Sequence, residues 1–216
     1  MADLKGKKML ITAGPTHEPI DPVRFIGNHS SGKMGIAIAE EALALGAEVT
    51  LICGPSHISS NDKIHRVNVQ SAQNMFDAVM KVQSEQDVLI LSAAVADYRP
   101  KHVAESKIKK KDSSLTIELE PTPDILASLG KIKRENQLLV GFALETDNEL
   151  GNAQGKLEKK NCDMIVLNSL NDSGAGFGHD TNKVSILDRH NNITTFELKS
   201  KAEVAKDILQ TILSFK

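Results

Sequence analysis

Cysteine is scarce in this sequence, and nothing in its placement indicates a disulfide. Cys53 and Cys162 are the only two cysteines among 216 residues, and they lie in the apolar runs VTLIC and CDMIVL. We therefore expect two reduced, buried thiols. No ligand cluster accompanies them, and the seven histidines show neither paired spacing nor the acidic neighbours of a zinc pattern. We predict no protein-bound metal site.

The sequence also lacks an excess of either charge and lacks a long apolar run. It has 26 Lys and Arg against 28 Asp and Glu, a formal net charge of −2. This balance provides no global attraction to nucleic acid or to an anionic membrane. The N-terminal MADLKGKKML is not a secretory signal, and no run is long enough to span a bilayer. We expect a cytoplasmic protein with neither a nucleic-acid nor a membrane partner.

The remaining composition is that of an ordinary globular protein. Apolar residues make up 40% of the chain and charged residues 25%, which excludes collagen-like, disordered and mucin-like classes. The length suits one large domain or two small ones. We find no repeat, linker or low-complexity tract, so we predict a single domain over residues 1–216.

Short apolar strands alternate with helical patterns along the chain. This alternation predicts a mostly parallel sheet covered on both faces, which is a three-layer, Rossmann-like α/β fold. A C-terminal antiparallel hairpin and a final helix at about 202–215 should complete it. The predicted strands are 7–13, 47–53, 65–69, 87–92, 138–144, 163–168, 184–187 and 194–198. The predicted helices before the final one are 33–46, 71–83, 122–133 and 148–160.

Local signals predict where two of these helices begin. Ser31 is a candidate N-cap for the first helix, and Gly46 marks its C-terminal end. In Thr122-Pro-Asp124, Thr122 is the expected N-cap, followed by proline at the first helical position and an acid in the first turn. These rules explain the segment fully, so we favour a structural role for it.

Two familiar motifs are incomplete. Residues 27–33 (GNHSSGK) match a P-loop except that Met34 replaces the hydroxyl residue that binds Mg²⁺, and more than ten residues separate the segment from its strand. The glycines do not form a dinucleotide fingerprint. The only tyrosine, Tyr98, has His102 rather than lysine four residues later, which disfavours a short-chain dehydrogenase.

The loop after the first strand is unusually long and polar. It supplies Arg24, Asn28, Ser30 and Ser31 ahead of a helix N-terminus, a combination suited to anions. The alternative is a solvated loop with Ser31 merely capping the helix. The length of the loop favours a functional role.

Two further segments follow the most apolar strand. In SAAVADY (92–98), the small residues Ala93 and Ala94 would let a flat ligand approach the backbone, and Asp97 could accept hydrogen bonds from ribose or hold a cation. The alternative is tight packing with Asp97 at a surface turn. The basic run 107–111 (KIKKK) is either solvated surface or a flap that closes over phosphates.

The last segment combines a strand end with a basic helix face. Residues 141–146 (GFALET) end the strand, and Lys156 and Lys160 lie one helical turn apart on the next helix. The two lysines could grip a polyphosphate together, or form a solvent-facing stripe. Phe142 is more often a core residue than a ring that stacks on a base.

Taken in order, these motifs resemble one family. ITAGPTHEPIDPVRFIGNHSSGKMG, AAVADYRP, SKIKK, TPDI, GFALET and the Lys156/Lys160 helix are similar to phosphopantothenoylcysteine synthetases (phosphopantothenate-cysteine ligases) of coenzyme A biosynthesis. The resemblance implies that the carboxylate of 4′-phosphopantothenate attacks the α-phosphate of a nucleoside triphosphate. Pyrophosphate leaves, and the amine of L-cysteine then displaces the nucleoside monophosphate. It implies CTP, or ATP as in the eukaryotic branch, accompanied by Mg²⁺.

The resemblance also implies roles for individual residues. Asn28 would handle the acyl-nucleotide with Arg24 beside it, and Lys107 would be the flap lysine that forms this intermediate. Ser30 and Gly141 belong to the expected nucleotide-binding set. The base and ribose pocket would be lined by Ala93, Ala94, Asp97 and Phe142, and the triphosphate held by Lys156 and Lys160.

The family resemblance extends to partners. Many bacterial relatives fuse this domain behind a flavin-dependent decarboxylase, so the chain is expected to be either a stand-alone synthetase or a part of such a fusion. We also expect a homodimer. Two other hypotheses stay open from the residues alone: a Rossmann oxidoreductase that binds NAD(P), and a non-catalytic nucleotide-sensing module. The sequence leaves open which nucleotide base is preferred.

Overall fold

The computed structural model describes residues 3–110, 114–145, 147–169 and 179–215. The helices are α1 Lys33–Ala44, α2 Ala72–Val82, α3 Ile125–Ile132, α4 Glu149–Lys159 and α5 Lys201–Ser214, with a short 3₁₀ turn at Gln83–Glu85. The strands are β1 Lys8–Ala13, β2 His17–Pro19, β3 Phe25–Gly27, β4 Glu48–Cys53, β5 His65–Asn68, β6 Val88–Leu91, β7 Tyr98–Pro100, β8 Leu119–Pro121, β9 Leu138–Glu145, β10 Met164–Ser169, β11 Thr181–Asn182, β12 Val184–Asp188, β13 Ile193–Thr195 and β14 Lys199–Ser200.

The central sheet has eight strands in the order β13-β12-β10-β9-β6-β1-β4-β5. The strands from β10 to β5 are parallel to their neighbours, whereas β12 and β13 are antiparallel. The predicted α/β class, with its mostly parallel sheet, C-terminal hairpin and final helix, is therefore confirmed. The strand order reverses between β1 and β6, and in open α/β sheets ligands bind in the crevice beyond the strand ends at such a point.

Helices cover both faces of the sheet and produce two apolar cores. Helices α1 and α5 pack on one face, where Ile11, Ile38 and Ile208 are fully buried. Helices α2, α3 and α4 pack on the other face around residues such as Leu89 and Leu129. Strands covered on both faces need apolar residues at every position, which is why they read as continuous apolar runs.

Two predicted N-cap residues are wrong. Helix α1 is preceded by Gly32 in the left-handed region (φ 82°) with no side-chain cap, so Ser31 is not its N-cap. The N-cap of α3 is Asp124, whose carboxylate accepts from the Ala127 amide at 2.8 Å. The hydroxyl of Thr122 instead donates to the Ala96 carbonyl at 2.6 Å. Gly46 follows the C-terminal end of α1 with φ 93°, as expected.

Small antiparallel ribbons absent from the sequence prediction form outside the sheet. Strands β2 and β3 pair within the long first loop, and β7 pairs with β8. The Asp21 carboxylate organises the turn between β2 and β3 by accepting from the Val23 and Arg24 amides, each at 2.9 Å. The ribbon thus carries Asn28, which follows β3, to the carboxyl ends of the central strands.

The two thiols are free and buried, as predicted. The thiol of Cys162 has its pKa raised to about 12, and burial is the largest cause. Across the part of the chain that the structure describes, no helix is both long and apolar enough to cross a membrane.

Candidate functional site

A cavity of about 740 Å³ opens at the carboxyl ends of β1, β6, β9 and β10. It lies at the reversal of strand order, where the fold predicts a ligand crevice. Most of the residues selected from the sequence line it, namely Asn28, Ala93, Ala94, Asp97, Phe142, Lys156 and Lys160. Residues separated by more than 100 positions therefore share one surface.

The loop after β6 forms one wall, and Asn28 is fastened to it. The side-chain amide of Asn28 donates to the carbonyls of Ala94 and Val95 at 3.0 and 3.3 Å. A parallel bridge between Pro15 and Ala94 connects this loop to the end of β1. Asp97 is exposed at the cavity, and its backbone carbonyl accepts from the Thr122 amide at 2.9 Å.

The opposite wall carries both predicted lysines, each held by a different acceptor. Lys156 donates from Nζ to the Phe142 carbonyl at 2.7 Å. Lys160 pairs with Asp124 at 2.5 Å, with the two side chains 28% and 50% exposed. The lysines thus face the cavity rather than forming only a solvent-facing stripe.

Asp124 is a member of the site that the sequence prediction treated as purely structural. One carboxylate oxygen caps α3 and the other binds the Lys160 ammonium. Burial by itself would raise the pKa of Asp124, but the bonds from Lys160 and the Ala127 amide, with Lys156 nearby, hold it below its ordinary value. At neutral pH the carboxylate is ionised and offsets one of the two lysines.

Gly141 and Ser30 lie beside this cavity rather than in its lining. A Cβ on Gly141 would come within 2.8 Å of the side chains of Ile165 and Leu126, so this glycine permits close packing below the cavity. Ser30 lines an adjoining space of about 50 Å³. The two spaces share Phe142, which lines both.

Arg24 and Lys107 also lie outside the lining of the large cavity among the described residues. Arg24 pairs with the buried carboxylate of Asp21 and donates to the Ile108 carbonyl at 3.1 Å. Asp21 in turn accepts from the Ile108 amide at 3.1 Å, which ties the start of the basic segment to the first loop. Lys107 itself is exposed. Lys111, in the same predicted flap, and Thr146 lie outside the described residues.

The structure adds groups that sequence reasoning missed. Asn168 at the end of β10 lines both spaces, and Lys33 and Lys201 line the smaller one. Asn168 ends a predicted strand, which is a usable signal in a parallel sheet. Lys201, at the start of the last helix, carried no such signal.

The donor set around the cavity suits phosphate rather than a protein-held metal. Within residues 3–110, 114–145, 147–169 and 179–215, no three acidic, histidine or cysteine side chains come together as a metal site. The ammonium groups of Lys156 and Lys160 instead favour a polyanion.

Comparisons with known proteins identify the family of the chain. The family model for the DNA/pantothenate metabolism flavoprotein C-terminal domain matches residues 4–215. A cysteine/cysteine sulfinic acid decarboxylase from an unknown prokaryotic organism is 56% identical over 98% of this chain and 59% of its own length. The coenzyme A biosynthesis bifunctional protein CoaBC of Bacillus subtilis is 48% identical over 98% of this chain and 52% of its own length.

The chain thus spans little more than half the length of these relatives. A crystal structure of the C-terminal domain of CoaBC, by contrast, matches over nearly all of its length, with a TM-score of 0.84 at 46% identity over 99% of this chain and 97% of that one. The family match over residues 4–215 and this structural agreement place the chain in the DNA/pantothenate metabolism flavoprotein C-terminal domain family.

Proposed function

We propose that this chain is a phosphopantothenate-cysteine ligase that uses a nucleoside triphosphate, with CTP as the favoured nucleotide. The observation that carries the proposal is the cavity at the strand-order reversal, which brings Asn28, Asp97, Lys156 and Lys160 together. The near-full-length match to the C-terminal domain of CoaBC supports the same activity. That match is also why we favour ligation over the decarboxylation named for one relative.

In the proposed first step, a carboxylate oxygen of 4′-phosphopantothenate attacks the α-phosphorus and pyrophosphate leaves. Negative charge grows on the phosphorus-bound oxygens and on pyrophosphate. Ammonium groups fixed near these atoms stabilise that charge more strongly in a cavity than in water. Lys156 and Lys160 are assigned to the triphosphate on this basis, since both already line the cavity.

In the second step, the cysteine amine attacks the acyl carbon, the bond from that carbon to the phosphate oxygen breaks, and nucleoside monophosphate and the amine proton leave. Asn28 is assigned to the acyl-nucleotide because its side chain lies between the first loop and the loop after β6. Ala93, Ala94, Asp97 and Phe142 are assigned to the base and ribose. Ser30 and Gly141, which lie beside the large cavity, are assigned to the same nucleotide-binding set.

Lys107 is assigned to a segment that closes over the bound nucleotide, whereas Arg24 of the first loop is assigned to the acyl-nucleotide beside Asn28. The Lys107 segment is linked to the first loop because Arg24 donates to the Ile108 carbonyl and Asp21 accepts from the Ile108 amide, so movement of the loop would carry the segment with it. Closure would bring the exposed Lys107 ammonium to the phosphates and exclude water.

Mg²⁺ would accompany the nucleotide as a counterion that neutralises phosphate charge. Such ions are held mainly by substrate phosphates with one or two carboxylates. Asp97, exposed at the cavity, could supply a carboxylate.

A homodimer forms part of the proposal. The β2/β3 and β7/β8 ribbons expose several large apolar side chains beside the cavity. Strand β2 contacts β7, which brings the two ribbons together. We assign their exposed apolar side chains to the dimer interface, because exposed apolar patches mark protein interfaces. These residues are Val23, Phe25, Tyr98, Val103, Leu115 and Leu119.

We further propose that the product passes to a decarboxylase, separate or fused.

The decisive experiment measures pyrophosphate release from purified protein, Mg²⁺, CTP and 4′-phosphopantothenate before cysteine is added. Pyrophosphate should form in this mixture, and cytidine monophosphate should follow only when L-cysteine is supplied. A parallel series with ATP in place of CTP shows which nucleotide base the protein prefers. Absence of pyrophosphate in every nucleotide series would refute the ligase proposal. In a separate assay with NAD(P)H, a change in nicotinamide absorbance would favour the oxidoreductase.

Matched lysine variants separate an enzyme from a nucleotide-binding module. Lys160→Met should raise the KM for CTP at least about tenfold by removing a charged contact. Lys159→Met is the control, because Lys159 is exposed and absent from the cavity lining. Lys107→Gln should abolish turnover while leaving CTP binding within about twofold of wild type. A pure nucleotide-binding module would show no turnover even as wild type, so only an enzyme can show this loss.

A further inference from the structure

The β4–β5 loop, residues 54–64, contacts the site from outside. The structure describes the whole loop, and the loop lines neither space of the site. At its start, the Gly54 amide donates to the Ala13 carbonyl at 2.9 Å, which continues the pairing of β4 with β1. A Cβ on Gly54 would lie 1.7 Å from the Pro15 carbonyl oxygen, so only glycine lets the loop pass this close to the segment after β1. The loop is therefore fixed against the chain that enters the site.

Ser56 connects the β4–β5 loop to the segment before α1. Its hydroxyl donates to the Ser31 carbonyl at 2.7 Å. The Ile58 amide donates to the same hydroxyl oxygen at 3.2 Å. A serine hydroxyl has one proton and two acceptor positions, so the bond from Ile58 leaves the proton directed at Ser31. The two bonds together hold the Ser56 side chain in one orientation.

The peptide unit between Ser31 and Gly32 is held at both of its polar atoms. Its carbonyl accepts from Ser56, and its N–H donates to the Ser30 hydroxyl oxygen at 3.2 Å. Because a peptide unit is planar, the direction of the carbonyl determines the direction of the N–H. Ser56 thus orients, through one rigid unit, the group that holds the Ser30 side chain.

The segment before α1 lacks regular secondary structure. Residues 28–31 form neither helix nor strand. Gly32 lies in the left-handed region (φ 82°), and no side chain caps α1. A helix start without its own cap takes its position from neighbouring segments. The bond from Ser56 therefore helps to determine where this segment lies.

The middle of the β4–β5 loop is anchored to the body of the protein. Arg66 on β5 donates from Nη1 to the Ile58 carbonyl at 2.7 Å. The Asn61 amide donates to the Glu40 carboxylate of α1 at 2.6 Å. Ile58 itself packs against the core on the α1 and α5 face of the sheet. Ser56 therefore acts from a fixed support, which a side chain needs if it is to position another group accurately.

We propose that Ser56 is a positioning residue for the nucleotide. The inference rests on the proposed function, in which Ser30 belongs to the nucleotide-binding set. In this scheme Ser56 touches neither the nucleotide nor the acid. Its hydroxyl holds the Ser31–Gly32 peptide, so the Ser30 hydroxyl and the start of α1 are already in place when CTP binds. This order raises the affinity for CTP, because less conformational freedom is lost on binding.

Three serine variants test this role. Ser56→Ala removes the hydroxyl, and Ser56→Thr keeps a hydroxyl at the same position. Ser59→Ala is the matched control, because Ser59 is exposed on the same loop. Calorimetric titration with CTP and Mg²⁺ gives the Kd, and pyrophosphate assays give kcat and the KM for CTP and for L-cysteine. Urea unfolding measures the stability of each variant.

The positioning role predicts a selective effect on the nucleotide. Ser56→Ala should raise the Kd and the KM for CTP by about threefold to tenfold, which corresponds to the loss of one neutral hydrogen bond. The kcat at saturating CTP and the KM for L-cysteine should stay within about twofold, since the reacting groups are unchanged. Ser56→Thr should recover most of the CTP affinity, and Ser59→Ala should match wild type.

Stability separates positioning from a merely structural contact. Ser31 is exposed, so water can satisfy its carbonyl once the Ser56 hydroxyl is removed, and the urea midpoint of Ser56→Ala should equal that of wild type. A lower urea midpoint with an unchanged Kd for CTP would show a structural role and overturn the inference. An equal loss of CTP affinity in Ser59→Ala would also overturn it, because that loss would not depend on the bond to Ser31.

The same measurements keep this inference apart from the ligase proposal. If wild type binds CTP but releases no pyrophosphate, the ligase proposal fails, and the titrations still decide whether Ser56 positions a nucleotide-binding segment. If wild type binds neither CTP nor ATP, both fail.

Discussion

Substitution of Gly130 by alanine should destabilise the protein although Gly130 lies inside a helix. Alanine normally stabilises a helix interior by up to about 1 kcal/mol relative to glycine. A Cβ at Gly130, however, would lie 1.9 Å from the Lys160 carbonyl oxygen. The two atoms would have to move apart by about 1.5 Å to reach the ordinary contact distance of 3.4 Å. The clash should outweigh helix propensity and cost about 1–3 kcal/mol net.

Gly155 provides a matched control on α4. It also lies within a helix, but a Cβ there would meet nothing within 4 Å. Without a clash, only helix propensity and the smaller entropy of the unfolded chain remain. Gly155→Ala should therefore increase the free energy of unfolding by about 0.5–1 kcal/mol.

Urea unfolding of wild type and both variants measures these opposite effects. The same displacement should reach the site, because Lys160 follows directly from the end of α4 and its side chain lines the large cavity. CTP affinity should fall in Gly130→Ala and stay unchanged in Gly155→Ala. A Gly130→Ala variant as stable as Gly155→Ala would refute the argument that α3 and α4 touch at this glycine.

Three further predictions concern the core and the first loop. Lys133→Met removes one of the two cations that contact the buried Asp163 carboxylate, while Arg189 still contacts it. Urea unfolding should show a decrease of about 1–3 kcal/mol in the free energy of unfolding, less than the full penalty of an unpaired buried charge. An unchanged free energy of unfolding would contradict a net benefit from the Lys133–Asp163 pair. Burial raises the pKa of Cys162 to about 12, so iodoacetamide at about pH 8 should label it only after denaturation; labelling of the native protein at the denatured rate would contradict this. The pKa of Asp21 lies below its ordinary 3.8. The bond from Arg24 lowers it most, backbone amides lower it further, and burial opposes them. The stability from this lowered pKa is fully present above about pH 4 and is lost as the pH falls through the depressed pKa. Thermal unfolding of wild type and Asp21→Asn should therefore differ at neutral pH and converge in acid, and a gap that does not change with pH would count against this.

Much of the central sheet could be predicted because its signal is local. Strands such as β4 and β6 are continuous apolar runs, and the helices between them have a recognisable apolar face. Burial on both faces of a parallel sheet requires that pattern. Polar or small residues at strand ends, such as Ala93, could therefore be placed at one edge before any coordinates were known.

Helix starts were less predictable, since several residues in a row could serve as caps. Threonine and aspartate both cap helices, so the local pattern does not by itself choose between Thr122, which we predicted, and Asp124. The Ala96 carbonyl, brought alongside from another segment, engages the threonine hydroxyl and leaves Asp124 to cap α3. A contact between distant segments, which no local pattern contains, decided the outcome.

The sequence by itself determined the layered α/β fold, the family resemblance and most residues of the large cavity, because these depend on local pattern and on strand ends. Only the tertiary structure decided which polar and charged groups meet. The Asp124–Lys160 pair, the Asp21 link to Ile108 and the approach of Lys33 to Lys201 each join segments far apart in the chain. Strand order and helix packing set those distances, and electrostatic energy depends on distance in space rather than on separation along the chain.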